Sequence, residues 1–571
     1  MRKRIVLLLL VLTLSLGTFL RFFKVSTVPP GLEQDETSIG YNAYSILKTG
    51  KDEYGQSFPL YFKAFGEYKL PGYIYAAVIP IKFFGLTPFA VRSVSALTGT
   101  LSILLIFWIV QFLFHRHEAR DEIALWSAFL LAINPWHLFF SRGAFEVTLA
   151  LFLLLVGLFA FLKAIYEHRP YYVLITSITF LLSLYTYNIS RVFVPLLCCA
   201  LLCIYRKRVL RIPRTILGWC TGIFILGLLP FAFSLLSPGG VHAIQGTILF
   251  SSKAVQAPLI EMRSDVSLFS PLLAKLFFNS WLQSLWQYCI NIMSYASVEF
   301  FFLSGSTQGD HGIGNMGQFY FVQLPLLFVG LFALIKRQTK TAVFLFFWCI
   351  ATILIAALTR EAPQATRSFN LIFSYTVLSA YGIWELRTWI VKQKQWIKIG
   401  IGLLVVSFFA YNCLYYFASY YIRFPLEYTK QWNALDPTVV QYMENVLKDY
   451  DVVYVDNRVN IPYTSLLFYS QYSPTFFQAT QQRGTQDAQG FSPVKAYGNV
   501  IFDSIDWDKE IAKHNQRILY ITTPQFLPAK PDHINIVERF YYPPRPVILS
   551  QGEELYTSYD KELGFVAVRT Y

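Results

Sequence analysis

Of the 571 residues, 55% are hydrophobic and only 14% are charged, and the mean hydropathy is +0.43. Soluble domains average about a quarter charged residues, so a single large soluble enzyme is excluded. The formal net charge of +14 does not point to nucleic acid either, because Lys and Arg form short runs between apolar stretches, whereas the residues beyond about 430 hold slightly more acid than base.

A membrane-spanning helix needs about 20 mostly apolar residues. In chain order such stretches occur at 5–23, 86–114, 123–140, 145–165, 172–189, 191–205, 215–236, 319–335, 341–358, 370–386 and 399–417, which predicts about eleven spans. Arg2-Lys3-Arg4 before the first stretch has the form of a signal peptide, but no small-x-small cleavage site follows and ten more spans do, so the first helix is read as uncleaved. Basic residues mark the N-terminus, Arg116/Arg120, Lys163/Arg169, Arg206-Lys207-Arg208, Lys336-Arg337 and Lys392/Lys394/Lys398. They fall in every second loop. The positive-inside rule then places the N-terminus in the cytoplasm, and 24–85, 237–318, 359–369 and everything after 418 outside. Six of the seven cysteines (Cys198, Cys199, Cys203, Cys220, Cys349, Cys413) lie in apolar segments without metal spacing and read as packing residues.

The outer segments are unequal in length. The first, 24–85, is rich in Tyr, Phe, Gly and Pro, and its apolar part 71–84 is too short to span and reads as an interfacial helix. Segment 271–303 is longer and aromatic; it reads as lying along the outer interface, with a helical hairpin in the membrane as the alternative. The tail changes character, with short strands expected at 451–456, 500–502, 518–522 and 565–568 and helices at 436–448 and 506–514. The chain is therefore expected to be mainly α, with a polytopic domain over 1–420 and a small extracytoplasmic α/β domain over 421–571.

Ionisable groups at the outer membrane face are costly unless they serve a purpose. Asp35-Glu36 follows the first span and opens a predicted helix. A carboxylate there can act as general base for an acceptor hydroxyl or as a ligand for a divalent metal; the competing role is a helix N-cap, with acids in the first turn. Lys69 stands beside the interfacial helix. Glu146 opens an otherwise uncharged helix and either pairs with Arg142 four residues before it or serves a site. Arg191 sits on the outer side, against the charge rule, and Arg360 and Arg367 lie in a further outer turn. Arginine forks suit phosphate oxygens, so their convergence at one face suggests a phospholipid-like anion. His311, in a glycine-rich outer turn, defines no metal site alone.

With these residues the chain resembles the GT-C polytopic glycosyltransferases, in the subgroup of protein O-mannosyltransferases, aminoarabinose transferases and bacterial carrier-lipid-dependent transferases. The shared pattern is an acidic pair after the first span (Asp35-Glu36), Lys-x-Pro before the second (Lys69-Leu70-Pro71), then an arginine and an acid around the third and fourth (Arg142, Glu146). It continues more loosely through Met316-Gly317-Gln318 and 363–367, where relatives carry Pro-His-Ala-x-Arg. Gln364 replaces that histidine here, so no histidine role is carried over.

The resemblance implies a multi-pass cell-membrane enzyme. Its donor would be a polyprenyl-phosphate sugar, with the lipid between helices and the phosphate at the outer face, and its acceptor a protein, lipid or glycan. It implies Asp35 as base in a single inverting displacement. Glu36 and Glu146 would then shape the site, and Lys69, Arg142, Arg191 and Arg367 would hold the donor phosphate. The alternative is a flippase or binding protein for a lipid-linked anionic saccharide. Such transporters carry internal repeats or polar groups near the membrane midplane, and neither is visible here.

Overall fold

The computed structural model describes residues 3–64, 67–235, 253–268, 270–306, 308–337, 339–459, 461–487, 491–511, 516–528, 533–551 and 554–570. The chain forms two compact units, Met1–Phe23 with Ser95–Phe417, and Lys24–Val94 with Ala418–Tyr571.

The first unit is helical. Each of the eleven apolar stretches forms helix, from Lys3–Phe22 through Pro88–Leu113 to Gln395–Ala418. Among the described residues, five helices are long and apolar enough to cross a membrane by themselves: Lys3–Phe22, Pro88–Leu113, Glu146–Tyr166, Lys340–Ala357 and Gln395–Glu427. The chain is a multi-pass membrane protein. Helices Gln323–Lys336 and Leu371–Ile390 meet backbone to backbone at Gly330 and Gly382, where a Cβ would collide with the carbonyls of Leu378 and Leu326. Segment 271–303 is helical at Pro271–Phe277 and Ser280–Ser294.

The predicted stretch 123–140 is not one helix. Arg120–Ile133 ends at Asn134, whose ψ of 126° is the extended conformation favoured before a proline, and a short helix Pro135–Phe140 follows, capped by the Asn134 side chain on the His137 N–H at 2.8 Å. Pro135 has no N–H for the Leu131 carbonyl. Arg21 supplies the missing donors: its Nη2 reaches Leu131 O at 3.2 Å and its Nη1 reaches Ala132 O at 3.0 Å, while the Tyr320 hydroxyl reaches Ile133 O at 2.7 Å. The three carbonyls at the broken end are satisfied by side chains.

The second unit holds the sheet. A hairpin of β1 (Phe62–Ala64) and β2 (Glu67–Lys69) precedes the helix Pro71–Phe84, which forms where 71–84 was expected. The tail contributes β3 (Val452–Asp456), β4 (Gln482–Arg483), β5 (Val494–Tyr497), β6 (Val500–Asp503), β7 (Ile518–Thr522), β8 (Ile534–Tyr541), β9 (Arg545–Gln551), β10 (Glu554–Asp560) and β11 (Leu563–Thr570). Seven of them form one mixed sheet in the order β4-β5-β6-β3-β7-β11-β8, with β9 and β10 as a separate hairpin. β3 runs parallel to β6 and β7, and all five residues of β7 are buried, as its unbroken apolar run requires. The four expected strands correspond to β3, β6, β7 and β11. The expected helices are Asp436–Val446 and Trp507–Ile511; positions 512–514 of the latter lie outside the described residues.

Helix Gln34–Thr49 packs on two tail helices, Tyr463–Tyr469 and Pro474–Thr480. Thr37 and Thr464 share a hydrogen bond at 2.8 Å, the Tyr41 ring meets Phe477 edge-on at 5.9 Å, and the Gln478 amide donates to Ser45 Oγ at 3.1 Å and Asp52 O at 2.8 Å. At Gly40 a Cβ would strike the Phe468 ring, so glycine permits this approach.

Candidate active site

The N-terminus of helix Gln34–Thr49 is capped by Glu33. Its carboxylate accepts the Asp35 N–H at 2.8 Å, and the Glu36 carboxylate accepts the Glu33 N–H at 3.2 Å. This reciprocal box satisfies two of the helix's orphan donors. Asp35 is therefore not the cap. Its side chain is 47% exposed and 2.7 Å from the ammonium of Lys69, which ends β2 and is 4% exposed. A carboxylate at the second position of a helix also benefits from the positive end of the helix dipole. Burial, then the Asp35 charge, hold the Glu33 carboxyl well above the usual range, with Lys69 acting in the opposite direction.

Glu36 points the other way. It is 2% exposed and forms a two-pronged pair with Arg92, Nε to Oε1 at 2.9 Å and Nη2 to Oε2 at 2.8 Å. Both of its oxygens are taken up inside the unit. The signal of Arg92 in the sequence is that of a lone arginine in the apolar stretch 86–114.

In the first unit, Arg142 is buried and its Nη1 donates to the carbonyls of Leu20 at 2.6 Å and Arg21 at 3.3 Å, finishing the first helix. Arg191 similarly donates from Nε to Leu184 O at 3.3 Å, at the end of helix Tyr172–Leu184. Glu146 is the first residue of helix Glu146–Tyr166. The charges of Arg367 and, more weakly, of Glu146 both act on the Tyr187 hydroxyl. The Arg367 guanidinium is 17% exposed and contacts Glu361 through its carbonyl at 3.2 Å and its carboxylate at 3.4 Å. His311 pairs with Asp310 at 3.2 Å; burial opposes ionisation of Asp310, yet the hydrogen bond and charge of His311 hold its carboxyl below the ordinary value. Among the described residues no three His, Cys, Asp or Glu side chains gather as a metal-ligand set.

A second buried acid lies in the unit that carries Asp35. The Glu53 carboxylate accepts the Tyr463 hydroxyl at 3.1 and 3.0 Å to its two oxygens, and burial pushes its pKa up to about 7 against the opposing charge of Arg483. The Gln481 amide closes the same turn on Glu53 O at 2.9 Å.

No family model and no curated relative matches the sequence. Solved structures do match. ArnT from Cupriavidus metallidurans bound to undecaprenyl phosphate aligns over 98% of this chain and 97% of its own, with a TM-score of 0.53 at 13% identity. The archaeal oligosaccharyltransferase AglB from Archaeoglobus fulgidus, in complex with an inhibitory peptide and a dolichol-phosphate, aligns over 82% of this chain with a TM-score of 0.50 at 15% identity. Both are GT-C glycosyltransferases. The fold is the GT-C fold. The apo form of ArnT gives the same match, with a TM-score of 0.52. The chain spans 64% of the length of AglB. Both GT-C proteins were solved with a polyprenyl phosphate, undecaprenyl in one and dolichol in the other.

Proposed function

We propose that this chain is an integral-membrane glycosyltransferase that moves a sugar from a polyprenyl-phosphate donor to an acceptor hydroxyl outside the cytoplasm. Asp35 is the base. Its carboxylate takes the acceptor proton while the acceptor oxygen forms a bond to the anomeric carbon. The bond from that carbon to the carrier phosphate breaks, and the configuration inverts. The polyprenyl phosphate leaves as an anion, so no covalent enzyme intermediate is needed. Lys69 orients Asp35 and offsets the charge that grows on the leaving phosphate; Arg367, in the first unit, is assigned to the carrier phosphate by the sequence pattern and its guanidinium fork. Glu36 positions the end of the helix that bears Asp35, and in the first unit Arg142 and Arg191 hold helix ends. The supporting observation is that Asp35 stays half open while Glu33 and Glu36 make the helix cap. A flippase or binding protein for the same anion has no use for such a carboxylate.

The assay is transfer by purified protein in nanodiscs from a panel of undecaprenyl- and dolichyl-phosphate sugars. Release of polyprenyl phosphate that requires the Asp35 carboxylate supports the reading, and a panel with no turned-over donor sinks it. The orientation carried by this reading has all eleven helical stretches crossing, Lys207 inside and Asp503 outside. Cysteines introduced beside those two residues should label from opposite sides, and labelling from one side would refute it.

A further inference from the structure

One fully buried charge, Arg92, stands directly behind the turn that bears Asp35. Arg92 is 0% exposed and lies in the first turns of helix Pro88–Leu113. A guanidinium has five N–H donors in a fixed plane. Here Nε meets Glu36 Oε1 at 2.9 Å, Nη1 meets the carbonyls of Val25 at 2.9 Å and Pro29 at 3.1 Å, and Nη2 meets Glu36 Oε2 at 2.8 Å and the Gly31 carbonyl. All five donors are used. Three of the acceptors are main-chain carbonyls of the turn that delivers the chain to Asp35, and the other two belong to the residue after it.

From Arg92 the constraint runs in discrete steps. Glu36, fixed by the guanidinium, accepts the Glu33 N–H, and Glu33 accepts the Asp35 N–H. The far side of the turn is closed by the tail. The Asn433 amide donates to Leu32 O at 3.2 Å, Gly31 lies against the Trp432 carbonyl, and the Trp432 ring lies 5.7 Å from the guanidinium carbon. A buried charge of this kind costs several kcal/mol in desolvation, and a buried arginine that serves stability alone could be replaced by apolar packing. One that collects carbonyls from residues 25, 29 and 31 fixes a backbone path.

We infer that Arg92 is a positioning residue. Acting through Glu36 and Glu33, it sets the place and direction of the Asp35 carboxylate without touching donor or acceptor. The inference rests on Asp35 being the base, and its test has a readout independent of transfer.

Lysine at 92 keeps the charge but can satisfy at most three of the five acceptors. Arg92→Lys should accelerate amide exchange of residues 31–37 at least tenfold while exchange in helix Lys340–Ala357 stays as in the native protein. It should lower kcat about 10²-fold, the cost of a misplacement of roughly 1 Å, with undecaprenyl phosphate binding within threefold. Glu36→Gln is the milder partner, since it keeps the acceptor for Nε and all three carbonyl contacts; an intermediate loss of kcat and intermediate exchange are expected. A folded Arg92→Lys protein with native kcat and native exchange overturns the inference. If Arg92→Lys does not fold, native kcat and exchange in Glu36→Gln overturn it in the same way. Near-normal transfer by Asp35→Asn refutes the base assignment instead, and leaves the amide-exchange comparison to judge the clamp by itself.

Discussion

Lys69 is almost completely buried, yet its ammonium stands 2.7 Å from a carboxylate, Asp35, that is nearly half open to solvent. The pair is asymmetric. The lysine is fixed by its surroundings, and the acid is presented outward from the end of a helix that another residue caps.

Asp35→Asn should leave the fold nearly untouched, because the cap belongs to Glu33 and Glu36. The amide cannot accept a proton from the acceptor hydroxyl, so single-turnover transfer should fall roughly 10²–10⁴-fold. Thermal unfolding in detergent and transfer measured side by side check this, and near-normal transfer would move the base role elsewhere.

Lys69→Met removes a buried ammonium and keeps a long stem, while Asp35 remains solvated on its open side. Melting should shift by only a few degrees, whereas transfer should drop about 10²-fold as Asp35 loses its anchor. Retained transfer would show that Lys69 is only a structural neighbour.

Glu53 gives a pH dependence of known sign. Its ordinary value is 4.5 and its folded value about 7, raised by burial. Between those values the folded protein holds a proton that the unfolded chain has lost. The stability it contributes is fully present below pH 4.5 and is lost as pH rises through 7, with a total of roughly 3 kcal/mol. Asp436, also raised to about 7 by burial, acts in the same direction from its lower ordinary value of 3.8. Glu53→Gln should remove part of the slope, and the double variant with Asp436→Asn more. Urea unfolding followed from pH 5 to 8 measures it; an unchanged slope in the double variant would refute the assignment.

Arg142 and Arg367 should separate. Arg142→Lys abandons buried carbonyls at the end of the first helix, at about 1–3 kcal/mol of stability, with undecaprenyl phosphate binding close to native in the folded fraction. Arg367→Lys should weaken that binding with little change in melting. The reverse pattern in binding and thermal unfolding would exchange the two roles.

Hydropathy alone located the helices, since a run such as Phe152–Leu158 has no other way to bury itself. The break at Asn134-Pro135 is masked by the apolar run that continues across it, although the missing proline N–H is legible in the sequence. β7 was legible as an unbroken apolar run, while edge strand β8 carries Glu538 and Arg539 exposed and presents a weaker pattern. Asp35 and Glu36 are indistinguishable as a sequence pair. About 100° of helical rotation separates them, and only the location of Arg92 and Lys69 decides which faces inward. Nothing local encodes the meeting of Thr37 with Thr464, more than four hundred residues apart.

That meeting bears on the order of synthesis. A nascent chain that has reached residue 417 already contains Asp35 and all eleven apolar stretches, but none of Trp432, Thr464, Phe468 or Gln478, against which the turn and helix bearing Asp35 are packed. The ribosome must finish the tail before the helix near the start of the chain has its full core. A chain stopped at residue 417 would hold every apolar stretch and yet leave the helix that bears Asp35 without its tail partners.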